Sequence, residues 1–147
     1  MAANVKPIFP ITMQVNNKTL TTADTSLTTP ITNGQTILTG GANGTRVDVI
    51  KARAVGTNVA SLLRVFFNDG LGTAASNFSL IHEEVLPVST LSQVAIEAAP
   101  ITLFPINYDG MGTGVLPPYL ESGQKIYISI GTTVAGGWAV TGFGGDY

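Results

Sequence analysis

The chain of 147 residues has no cysteine and a single histidine. Without cysteine there can be neither disulfides nor thiolate metal sites, and the residue that reports most directly on redox compartment is missing. Charged side chains are sparse, 11% against roughly a quarter in ordinary globular domains. The formal net charge of −2 argues against a nucleic-acid binder, which would show a basic patch. No apolar run approaches the length of a membrane span, and Arg64 interrupts the best one. Met1–Pro10 lacks the basic-then-apolar design of a secretory leader. The expectation is a soluble chain that does not use a classical export signal. Good helix formers are few, while threonine, valine, isoleucine and glycine are plentiful, which favours strands and turns.

The most informative stretch is Gly44–Gly70, GTRVDVIKARAVGTNVASLLRVFFNDG. From Ile50 the residues alternate, with Ile50, Ala52 and Ala54 on one side and Lys51 and Arg53 on the other. This is the pattern of a half-buried strand. Val47 and Val49 fall on the opposite parity, so a β-bulge near Val49 is expected to reset the phase. In Ser61–Asn68, Leu63, Val65 and Phe67 share one face and Leu62, Arg64 and Phe66 the other. The two runs are expected to pair as adjacent antiparallel strands. Asn68-Asp69-Gly70 should end the second in a tight turn. If the Phe67 ring is fully buried, its loss would cost about 3–5 kcal/mol.

Elsewhere Ile11, Met13 and Val15 suggest a first strand and Asn16-Asn17-Lys18 a turn. Thr19–Thr32 reads as an edge strand or ordered loop, and Gln35–Thr39 as a short strand. Phe78–Val88 is a strand of weak alternation, Leu91–Ala99 is ambiguous between helix and strand, and Ile101–Ile106 is an apolar stretch broken by Pro105. Ile126–Ile130 and Trp138–Phe143 are the late strands. Eight or nine short strands without a convincing helix predict an all-β, antiparallel β-sandwich, with a jelly roll suiting the count and length best. Residues 31–147 read as one body and 1–30 as an extended N-terminal arm and lead-in strand, because Pro7 and Pro10 around Ile8 and Phe9 favour extended backbone.

No reactive constellation stands out. His82 and Glu84 can share a strand face and His82 and Glu83 cannot; one imidazole and one carboxylate make a poor metal site, so polar side chains on a solvated face are favoured. A Ser-His-Asp triad would have to use His82, and the chain has no Gly-x-Ser-x-Gly elbow. The glycine clusters at 40–44 and 109–114 lack the following helix of a phosphate-binding loop and read as turns. Asp48, Asp69, Asp109, Glu83, Glu84, Glu97 and Glu121 are the carboxylates open to a glycosidase reading, with no spacing that pairs two of them. Tyr108, Tyr119, Tyr127, Trp138 and Tyr147 could form a sugar platform; core or subunit contact is the favoured role.

The order TTADT (21–25), TGGANGTRVD (39–48), FFNDG (66–70), HEEVLPV (82–88) and GFGGDY (142–147) resembles the capsid decoration, or cement, proteins of tailed bacteriophages, which have a jelly-roll body. The resemblance runs over most of residues 21–147 and departs from the pattern in the long 71–79 and 105–118 loops. It implies a non-enzymatic virion protein, made in the host cytoplasm, without cofactor or metal. It would bind the outer surface of the head and bridge capsomers of the major capsid protein. It would act as a homodimer or homotrimer, with neither nucleic acid nor membrane as partner. Pro7, Ile8, Phe9, Pro10 and Ile11 are the candidate contacts with capsid or subunit, since an extended arm can add a strand to a neighbour's sheet. The alternative is a carbohydrate-binding β-sandwich module of a phage tail or fibre protein.

Overall fold

In the computed structural model, residues 10–95, 98–103 and 119–147 are described. They form nine strands and one 3₁₀ turn at Ala75–Asn77. The strands are β1 (Thr12–Leu20), β2 (Gln35–Thr39), β3 (Thr45–Ala54), β4 (Ser61–Asn68), β5 (Phe78–Leu86), β6 (Ile101–Leu103), β7 (Tyr119–Leu120), β8 (Lys125–Ile130) and β9 (Trp138–Asp146). Two antiparallel sheets pack into a β-sandwich. One has the order β1-β9-β3-β6, with β7 also on β3; the other runs β2-β8-β4-β5.

Alternation places the core between the sheets. Ile50, Ala52, Trp138 and Val140 face inward from the first sheet, and Leu63, Val65, Ile126, Ile128 and Ile130 from the second. The phase reset expected near Val49 is present: the β3–β9 register shifts between Val47 and Val49, so that Val47 and Ile50 are both buried despite their opposite parity. A second bulge explains the weak alternation of β5. Val65 pairs with His82 but Phe66 with Leu80, leaving Ile81 as the extra residue.

Two expectations are corrected, and a third point, the condition that the Phe67 ring be fully buried, is not met. First, the runs that form β3 and β4 are strands but do not pair, since they lie in opposite sheets. The connection through Gly56-Thr57-Asn58 is a crossover, held by the buried Asn58. Its amide donates to the Gly56 and Gly137 carbonyls and to Ser89 Oγ, each at 3.0 Å, and its oxygen accepts from Gly136 and Gly137 N–H at 2.9 and 2.8 Å. Second, Asn16-Asn17-Lys18 is not a turn. β1 continues through it in unbroken register with Thr141, Gly142 and Val140 of β9. The backbone pairing of nine residues overrides the local turn preference of two asparagines. Residues 12–20, grouped with the arm by their sequence, thus form a strand of the sandwich. Third, Phe67 is only half buried against the core, whereas Phe66 is fully buried between Leu80 and Tyr127 of its neighbouring strands. Both faces of β4 are therefore covered there.

The GFGGD run is the C-terminal half of β9. An added Cβ on Gly142 would stand 2.9 Å from Ile37 Cγ1, so the missing side chain lets β2 approach β9 across the core.

Candidate interaction surface

The polar side chains of the described residues tie loops together. At the Trp138 end of the sandwich, Asn58 joins the β3–β4, β5–β6 and β8–β9 connections. Asp24 organises the segment between β1 and β2 there: its carboxylate accepts from the N–H groups of Ser26, Thr32, Asn33 and Gly34 at 3.1, 3.1, 3.0 and 3.3 Å. Burial raises the Asp24 pKa, but the four backbone hydrogen bonds outweigh it and hold the group below its ordinary value of 3.8. At the opposite end, Asp146 accepts from Gln14 Nε2 at 2.6 Å and from Thr45 Oγ1, while Gln14 also donates to the Thr39 carbonyl at 2.9 Å.

The remaining candidates lie apart. His82 and Glu84 share a face of β5, 3.4 Å apart, and among the described residues no group of three His, Cys, Asp or Glu side chains could hold a metal. Asp48 pairs with Arg46 at 2.6 Å and Glu83 with Arg64 at 3.0 Å. Asp69 accepts from Leu71 N–H at 2.9 Å. Glu97, Tyr108, Asp109 and the 109–114 glycine cluster lie outside the described residues. Trp138 is wholly buried and belongs to the core. Tyr119 and Tyr147 form a tilted pair with centroids 6.0 Å apart. The Tyr119 hydroxyl donates to the Asn43 carbonyl at 2.7 Å, laying the ring over Gly44, whose φ of +91° suits glycine. Beside it is an open concavity of about 260 Å³ bordered by Asn43, Glu121 and Ser122.

The arm residues divide. Pro7, Ile8 and Phe9 lie outside the described residues. Pro10 is half buried, and its ring occupies the space a Cβ on Gly145 would need. Ile11 N–H donates to the Asp146 carbonyl at 2.7 Å while its side chain is 74% exposed. Met13 and Val15 continue that stripe at 72% and 54%. Thr12, Asn16 and Lys18, on the other parity, are exposed too; within β1 only Leu20 is buried and Gln14 half buried. Sequence alternation marks Ile11, Met13 and Val15 as one face of a strand, but it cannot tell that this face points outward.

The four sheet edges differ. Among the described residues β6 spans only Ile101–Leu103. β2 is five residues long with a register shift between Thr36 and Leu38. β5 has the Ile81 bulge, and His82 and Glu84 stand opposite the core residues Val65 and Leu63. Short length, bulges and polar or charged side chains on the core-side face all discourage strand addition. β1 has none of these: nine residues in continuous register, with Lys18 its one charge.

Comparison of the chain with family models, with curated proteins and with solved structures finds no match.

Proposed function

We propose that this protein is a non-enzymatic structural protein of a phage virion that binds the outer surface of the capsid and stabilises the head by bridging neighbouring capsomers. The single observation that carries the reading is the Ile11–Met13–Val15 stripe, apolar and exposed on an edge strand that follows the arm residues in sequence. Such a surface suits adhesion to another protein. The polar chemistry supports the same reading, because Asn58, Asp24 and Asp146 are committed to holding loops. The body is assigned to the jelly-roll class; the orders β1-β9-β3-β6 and β2-β8-β4-β5, with the chain changing sheets at nearly every connection, support that assignment. The partners are the major capsid protein and further copies of this chain, and the location is the capsid surface.

The test is decoration of purified, undecorated heads from the source virus, read by sedimentation and negative-stain imaging. The intact chain should saturate the heads, and a variant lacking residues 1–10 should fold yet bind at least tenfold more weakly. Equal binding by the truncated form removes the arm from the mechanism, and no binding by the intact chain sinks the reading.

A second reading, a carbohydrate-binding module, is favoured by one feature, the Tyr119–Tyr147 pair beside the concavity at Asn43 and Glu121. It predicts glycan-array binding that Tyr119→Ala abolishes, and an array without hits removes it.

A further inference from the structure

We propose that two copies of this chain associate through β1, edge to edge and antiparallel about a two-fold axis, so that the sheets headed by β1 join into one. The inference deepens the self-association named in the proposed function by giving it an interface, and it does not depend on capsid binding.

It starts from the contrast between edges. Three carry features that deter strand addition and one does not. Among the described residues β1 pairs with β9 alone, which leaves a row of backbone donors and acceptors on its outer side. Most of its side chains are exposed on both faces, so beyond the backbone ladder it is held to the monomer chiefly by Leu20 and the Gln14 hydrogen bonds. A long, regular, apolar-flanked strand in that position is the geometry of β-augmentation.

Self-pairing fits the residues. Antiparallel neighbours keep each face on its own side, so the Ile11, Met13 and Val15 stripes of two copies merge into one apolar band, continued on β9 by the half-buried Phe143 opposite Val15. Any axis between Met13 and Val15 leaves the two Lys18 side chains at least roughly 20 Å apart, beyond the Debye length of roughly 8 Å. No like charges then oppose each other in the ladder. The area is also sufficient in scale. A nine-residue strand spans roughly 30 Å and two stacked sheets with their side chains roughly 20 Å. β2 lies on the same flank as β1. The flank thus offers on the order of 600 Å² to each copy, approaching the roughly 800 Å² of a standard contact. A closed two-fold pair also consumes the open edge and stops further growth.

The test uses the full chain alone. Sedimentation equilibrium at about 1–100 μM should show a reversible dimer. Met13→Lys with Val15→Lys should weaken it at least tenfold with an unchanged circular dichroism spectrum. Because the chain has no cysteine, single substitutions report proximity directly. Among Met13→Cys, Val15→Cys, Asn16→Cys and Asn17→Cys, those nearest the axis should oxidise to covalent dimers, while Val85→Cys on β5 should not. This scan decides the matter even if the double lysine variant fails to fold. A wild-type monomer across the range overturns the proposal. So does a dimer indifferent to the lysines, or cross-linking at Val85 or at none of the β1 positions.

Discussion

Asp24 illustrates how a single side chain can substitute for secondary structure. The segment between β1 and β2 has no regular hydrogen bonding of its own, and four of its N–H groups converge on one carboxylate. Bonds to an ionised acceptor are stronger than neutral ones. Because the folded pKa is depressed, the contribution is fully present above the unfolded value near 3.8 and is lost as pH falls through the lower folded value. Asp24→Asn keeps one acceptor oxygen but not the charge. It should lower stability by about 1–2 kcal/mol at pH 7, and the difference from wild type should shrink on acidification below pH 4 or so. Urea melts at several pH values measure this. In the sequence Asp24 is the single acid of a threonine-rich run, which does not disclose its role, because the donors come from residues up to ten positions away.

Among elements, the strands were more legible than their partners. Period-two alternation identified β3, β4 and β8, and the parity switch between Val49 and Ile50 was enough to locate a bulge. What alternation cannot carry is which sheet a strand joins. Val55–Ala60 could close a hairpin or cross the core; a buried asparagine makes it cross, and nothing in Gly-Thr-Asn signals that Ser89 and Gly137 will be its partners. Phe66 and Phe67 show the same limit. Parity separates their faces but does not say that Phe66 is the fully buried ring. Asn58→Ala should strand several buried backbone groups across three connections, at a cost of about 3 kcal/mol or more. Chemical denaturation, compared with the milder Ser122→Ala in an exposed turn, would measure the difference.

At the scale of the whole molecule, the all-β sandwich followed from strand count and composition, whereas the exposed face of β1 did not, because outward and inward stripes look alike in a sequence. The first sheet also has an order unlike the chain's. β9, made last, lies between β1 and β3, made early. Among the described strands β1 has no partner in its sheet until β9 has been made. An apolar β1 must therefore wait unaccompanied while the seven strands between them are synthesised.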